Sequence, residues 1–422
     1  MTIEISTLCN GLRVVTDSMP DSESMVFGVW VGVGTRHEPW AANGVAHMAE
    51  HMMFKGTKRR SAYALSSAIE KNGGAMNAHT TREETAYYAR VMPEDAGLAA
   101  DIIADMLQRS VFDPKELERE RQVILQEIGR DHDTPEDHVF DLLHATAFPR
   151  QKIGRAILGS ADVVASLPRR QLLHYVKRHY HAGNMVVVGS GKISHQEMVA
   201  LAKKHFGRLP HGRVARPEVA NIKSGELRVF KKSEQLHVML AFPGPGFHAR
   251  SVYAASLLAI LLGGSSSSRL FQKVREQRGL VYNISASHIP FQDAGLFTIY
   301  AGTDPKRVGE LVPVVCRELR DVAQHVGPAE LKRAKAQARA DILMSQESVM
   351  RRAEVLGHQM LTYGKPVPLR ETLARIGGVT EDDVQAMAAR LLRRRPILTA
   401  LGPVKKLESY RSVAERLRLR SN

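Results

Sequence analysis

The segment His47-Met48-Ala49-Glu50-His51 (HMAEH) decides how this chain reads. On a helix, residues four apart share a face one turn apart, so the imidazoles of His47 and His51 point the same way. Two ring nitrogens so placed can reach one Zn²⁺ at about 2.0–2.1 Å. Glu50, adjacent to His51, can hang beside the metal and accept a proton from bound water. The order reverses the more familiar H-E-x-x-H zinc motif. With 18 histidines in 422 residues, chance supplies about 0.04 such matches. Two incidental surface histidines are therefore the weaker reading.

Two histidines leave a catalytic zinc short of a third protein ligand, with water in the fourth position. The best source downstream is the acidic stretch ERERQVILQE, residues 118–127. Asp113 as cap, Pro114 in the first helical position and Glu116 three residues after the cap predict a helix starting at 114. Glu120, Ile124 and Glu127 follow an i, i+4, i+7 stripe, so both carboxylates share a face with an apolar residue. One can ligate metal while the other supports the site from behind. Spacing does not choose between them. Glu116 and Glu118 read as solvated charge.

Further outward, the hydrophobic pattern alternates strands and helices. Residues 1–16 read as two strands around a turn at Asn10-Gly11. Strand patterns follow at Met25–Val33, Ala75–Thr80, Glu84–Met92 and Met185–Gly191. Helical patterns cover Ala41–Phe54, Tyr63–Asn72, Glu94–Arg109 and Pro114–Arg130, and another begins at Thr134-Pro135. Leu209–Gly225 holds Pro210, Gly212 and Pro217 with no clear period, and reads as a linker. The later half repeats the order, with strands at His237–Phe242, Val281–His288 and Gly295–Gly302 and a helix at Ser251–Leu262. The expected fold class is α+β: two similar domains, each a mostly antiparallel sheet packed with helices. The expected boundaries are a metal-binding domain over 1–210, a linker over 211–225 and a second domain of the same fold over 226–422.

Composition narrows the classes. The chain is 44% hydrophobic and 24% charged, ordinary for a globular protein and unlike a disordered or collagen-like one. Its strongest apolar stretch, Val252–Leu262, is too short to span a membrane. The first 16 residues lack a basic start followed by an apolar core, so no secretory signal is expected. Two cysteines, Cys9 and Cys316, exclude a disulfide framework and a cysteine-ligated structural zinc. A reducing cytoplasm is then the default. The net charge of +15 raises nucleic acid as a partner, and Arg390, Arg393, Arg394 and Arg395 with Arg411, Arg416, Arg418 and Arg420 are its densest clusters. Solvated helix faces explain them better, and no nucleic-acid motif accompanies them.

The stretches GVAHMAEHMMFKGT (44–57), GGAMNAHTTREETAYY (73–88), ERERQVILQEI (118–128), IGRAILGS (153–160) and SSRLFQKVREQRGLVY (267–282) resemble the inverted-motif zinc metallopeptidases. That family includes pitrilysin, insulin-degrading enzyme and the mitochondrial processing peptidase. The resemblance covers nearly the whole chain and is closest to small bacterial members and to the processing peptidase beta subunit. It implies one Zn²⁺ per chain held by His47, His51 and Glu127, with Glu50 as general base and Glu120 supporting the ligands. It implies that Arg275 and Tyr282 contact the substrate backbone and the tetrahedral oxyanion, roles suited to a guanidinium and a phenol. Asn77, Ala78 and His79 would lie on an edge strand that pairs with an extended peptide. Phe54 would wall the pocket for the side chain after the cut. Asp137 and Asp141 match acidic positions that recognise arginine upstream of it.

The likeness also implies a clam-shell homodimer that encloses unfolded, presequence-like basic peptides in the bacterial cytoplasm. Zinc from one protomer would face Arg275 and Tyr282 of the other. The chain departs from the processing peptidase in keeping both the zinc motif and the arginine–tyrosine pair. The long glycine-rich loop of the alpha subunit is reduced to Gly263–Ser268. A heterodimer with a metal-less paralogue remains an alternative. So does a structural subunit of the same superfamily that keeps the fold without the chemistry.

Overall fold

The computed structural model describes residues 2–419, so Arg420 of the basic tail lies outside it. The backbone forms two sheets. In the first, β1 (Thr2–Thr7), β2 (Arg13–Ser18), β3 (Met25–Val31), β4 (Ala75–Thr80), β5 (Thr85–Val91) and β6 (Met185–Gly191) run in the order β1-β2-β6-β3-β5-β4. All neighbours are antiparallel except β2 and β6. In the second, β7 (Gly225–Phe230), β8 (Leu236–Gly244), β9 (Val281–Pro290), β10 (Gly295–Thr303) and β11 (Ile397–Gly402) run β7-β11-β8-β10-β9, with only β7 and β11 parallel. Each sheet is packed with helices, so the α+β expectation of two similar, mostly antiparallel units holds.

The units are not contiguous in sequence. The first comprises residues up to Arg130, Arg155–Glu218 and Met344–Val367; the second comprises Asp131–Gly154, Val219–Leu343 and residues from Pro368 onward. The boundaries expected at 210 and 226 therefore miss an exchange of two helices. The residues between Arg208 and Ser224 do form an irregular connection, but Pro135–Ala147 packs in the second unit and Val349–Thr362 in the first.

The strands explain the exchange. Every residue of β3 is buried, which is the mark of a strand covered on both faces. Met25, Phe27, Val29 and Val31 point into one core and Val26 and Trp30 into another, as the two-residue period requires. The second core is closed by Ala353, Leu356 and Met360 of the Val349–Thr362 helix. That helix crosses close over the sheet, because a Cβ on Gly357 would sit 2.4 Å from the Trp30 ring. In the second unit, Leu236, Val238, Leu240 and Phe242 of β8 face one core, and Met239 and Ala241 face Val139 and Leu143 of the Pro135–Ala147 helix.

Polar anchors fasten both helices. In the first unit, Arg352 makes two 2.6 Å bonds to the carboxylate of Asp17 on β2. In the second, the Tyr300 hydroxyl donates to Glu136 at 2.9 Å. No helix among the described residues is long and apolar enough to cross a membrane.

Candidate metal centre

The HMAEH segment lies on the helix Val45–Met53. Its start needs Gly44, whose φ of 94° places it in the left-handed region. Gly44 has no side chain to cap the helix, and Glu38 does so instead. The buried Glu38 carboxylate accepts from the backbone N–H of Gly44 at 3.0 Å and of Ala46 at 2.9 Å, and from the Asn43 side-chain amide at 2.9 Å. Two backbone donors at the helix start are thereby satisfied. Met48, Met52 and their neighbours bury the opposite face, so the imidazoles of His47 and His51 turn out of the core.

Their ring centroids are 4.5 Å apart. The helix Pro114–Asp133 is anchored by buried Leu117, Ile124 and Ile128, and this rotation carries Glu120 and Glu127 toward the imidazoles. Glu127 Oε2 lies 3.8 Å from His47 Nε2 and 3.7 Å from His51 Nε2. The three ligand atoms fall within 4.8 Å of one another. Glu120 Oε2 sits on the other ring nitrogen, 3.0 Å from His51 Nδ1, and its second oxygen is 2.7 Å from Lys55 Nζ. Of the two carboxylates, Glu127 faces both Nε2 atoms, and Glu120 faces the back of His51.

These residues fit a zinc ion. The Glu127 side chain is 40% exposed, yet its Oε2 is itself buried and accepts no hydrogen bond within the protein. A buried carboxylate oxygen without a donor is costly unless a cation meets it. Arms of about 2.1 Å in a tetrahedral site separate ligand atoms by about 3.4 Å, so the distances to Glu127 need to tighten by only a few tenths of an ångström. Two imidazole nitrogens and one carboxylate oxygen form a common catalytic zinc set. With Glu120 on Nδ1, the Nε2 of His51 is the ring nitrogen turned toward Glu127. His47 Nδ1 makes no hydrogen bond within the protein.

The electrostatics agree with this division. Burial, then the charge of His51, pushes the His47 imidazole down to about 3, so it is neutral at pH 7. For His51, burial acts downward, but Glu120 and Glu127 outweigh it and the net shift is upward. Burial raises Glu50 above the usual carboxylate range, against the hydrogen bond from Thr80 and the charge of His51. The Thr80 hydroxyl is 2.5 Å from Glu50 Oε2.

Thr80 ends β4, the free edge strand that carries Asn77, Ala78 and His79. The N–H of Ala78 is taken by the Asn77 side chain at 2.8 Å. Phe54 caps the Val45–Met53 helix and is half-buried against the core.

The remaining candidates lie in the second unit. Arg275 is exposed on the π-helical segment Phe271–Glu276, 4.8 Å above the Phe271 ring. Tyr282 is 62% exposed on β9, so it is not a core residue of that strand. Asp137 is exposed and Asp141 half-buried on the Pro135–Ala147 helix. A cavity of about 670 Å³ in this unit, lined by Arg250, Tyr253, Arg375, Asp383 and Arg390 among others, contains none of the candidates.

Motif reading passes over Lys55 and Thr80. Lys55 stands four residues after His51, which is a signal; Thr80 has none, because its partner Glu50 is thirty positions away.

Comparison with known proteins supplies the family. Residues 13–161 match the family model described as "Insulinase (Peptidase family M16)", and residues 166–338 match "Peptidase M16 inactive domain". The chain belongs to peptidase family M16. An uncharacterized zinc protease of Streptomyces coelicolor is 38% identical to this M16 chain, over 97% of it and 92% of the relative. A probable mitochondrial-processing peptidase beta subunit of Arabidopsis thaliana is 34% identical, over 98% of this chain and 80% of its own length. Among solved structures, a protease from Helicobacter pylori shares the M16 fold with a TM-score of 0.88 at 22% identity, covering 95% of this chain and 99% of that one.

Proposed function

We propose that this M16 chain is a zinc-dependent endopeptidase acting on unfolded or presequence-like basic peptides. The observation that carries the reading is the approach of Glu127 Oε2, buried and without a donor, to the Nε2 atoms of both His47 and His51. One Zn²⁺ per chain held by these three would lower the pKa of a water and polarise the scissile carbonyl.

The chain's own groups do the rest. Glu50, raised by burial and oriented by Thr80, takes the proton of the attacking water and passes it to the leaving amine. Glu120, set against His51 and Lys55, keeps the ligand ring in place. Arg275 and Tyr282 donate toward the negative charge that develops on the carbonyl oxygen. Their exposure supports this, as does the π-helical winding under Arg275, a rare conformation found often at functional sites.

The open edge of β4 pairs with an extended peptide through backbone bonds at Asn77, Ala78 and His79. Phe54 contacts the side chain after the cut, and Asp137 and Asp141 receive an upstream arginine. The working form is a clam-shell homodimer in the bacterial cytoplasm, each chamber closed by two protomers.

Metal content with cleavage of an arginine-containing quenched peptide tests the reading. The wild type should hold zinc and cleave, and a chelator should abolish cleavage. Glu50→Gln should keep zinc and lose hydrolysis; unchanged turnover in metal-loaded Glu50→Gln would exclude the role given to Glu50. The second reading, a structural subunit without chemistry, is favoured by the match to a model described as inactive over 166–338. It predicts no cleavage by zinc-loaded wild type.

A further inference from the structure

The arrangement around His47 and His51 recurs once among the described residues. Asp131 and His132 lie in the last turn of the Pro114–Asp133 helix, and His138 lies early in the Pro135–Ala147 helix. All three belong to the second unit. The imidazoles of His132 and His138 have centroids 4.4 Å apart at an interplanar angle of 70°; the corresponding values for His47 and His51 are 4.5 Å and 63°. Asp131 Oδ2 is 3.9 Å from His138 Nδ1, close to the separations at Glu127. Ligand atoms from the three residues fall within 4.8 Å of one another.

A second observation points to a ligand. His138 Nδ1, the nitrogen facing Asp131, is buried and makes no hydrogen bond within the protein. A buried ring nitrogen left without a partner is costly unless something meets it, and imidazole nitrogen is a common metal ligand. Asp137 and Asp141 act on the carboxylate of Asp131 and make the surroundings favourable for a cation. Lys231 works against it: its ammonium donates to the His132 carbonyl at 2.6 Å and lies 3.8 Å from Asp133.

We propose that Asp131, His132 and His138 form a second site for a divalent transition metal, separate from the His47–His51–Glu127 centre. Two imidazoles and one carboxylate select Zn²⁺, Co²⁺ or Ni²⁺ over Mg²⁺ or Ca²⁺, which prefer all-oxygen sites. His132 is exposed, whereas His51 is half-buried against Glu120. The site is therefore weaker and faster to exchange than the first. A bound ion would tie the end of one helix to the start of the next across Thr134-Pro135.

The test is metal titration of the full-length, metal-depleted protein near neutral pH. Zn²⁺ is followed by equilibrium dialysis and Co²⁺ by its visible absorption. The wild type should take up two equivalents, the second at least tenfold more weakly. His132→Ala and His138→Gln should each lose the weak equivalent and keep the tight one. His47→Ala should do the reverse, so failure here is distinguishable from failure of the catalytic zinc reading. His132 is exposed, so its replacement should not disturb folding. Uptake of a single equivalent by wild type overturns the proposal, as does a second equivalent that persists undiminished in both His132→Ala and His138→Gln.

Discussion

Thr80 donates its hydroxyl to Glu50 across 2.5 Å, joining the free edge strand β4 to the helix that carries both histidines. The strand proposed to hold the peptide and the group proposed to move the proton are therefore mechanically linked. Thr80→Val keeps the shape but removes the donor. We expect kcat to fall about tenfold, the rate equivalent of a single hydrogen bond of about 1.4 kcal/mol, with KM little changed. Thr80→Ser should restore it. Wild-type turnover in Thr80→Val would show that Glu50 needs no such support.

Glu120 touches His51 and Lys55. Removing a partner behind a ligating imidazole typically weakens metal binding about 10–100-fold. Glu120→Gln should therefore raise the zinc dissociation constant by that order while the fold is kept. Competition against a chromophoric chelator measures it, and an unchanged constant would count against the supporting role.

Asp17 and Arg352 form a buried ion pair, with side chains 6% and 3% exposed. Breaking a buried pair from one side leaves an unpaired charge and costs about 3–5 kcal/mol. Asp17→Asn and Arg352→Met should each lower denaturant stability by that order. The double variant should lose less than the two losses added. Strict additivity would mean that the pair does not hold the Val349–Thr362 helix to its sheet.

Glu330 accepts from Arg269 Nε at 2.7 Å and from the Gly327 N–H at 2.7 Å. Burial raises its carboxyl, but Arg269 and Gly327 outweigh that and hold it below its ordinary 4.5. A depressed folded value means that the unfolded chain binds the proton first, so this stabilisation is present above about pH 4.5 and disappears as pH falls through the folded value. The stability gap between wild type and Glu330→Gln should accordingly be about 1 kcal/mol near neutral pH and close as acid is added. Urea titrations at several pH values would reveal it; a gap that widens in acid would reverse the assignment.

Local structure was legible where the pattern is local. Ala75–Thr80 and Met185–Gly191 are strands with the bounds that alternation and burial predict. The turn at Asn10-Gly11 is there, with φ at Gly11 of 84°. The Val45–Met53 helix is shorter than the apolar pattern over 41–54, because Gly44 starts it and Glu38, outside the pattern, supplies its cap.

What the sequence by itself determined is the helical face that presents His47 and His51, the acidic stripe of Glu120 and Glu127, and the two-sheet α+β class, since period and spacing are properties of neighbours along the chain. What only the tertiary structure decided is which carboxylate meets both Nε2 atoms, that Thr80 reaches Glu50, and that two helices pack away from the sequence halves that contain them. The physical reason is that a helix's periodicity states which residues share a face but not how that face is turned toward another helix. That rotation is set by buried side chains such as Ile124, and the exchange by sheets apolar on both faces.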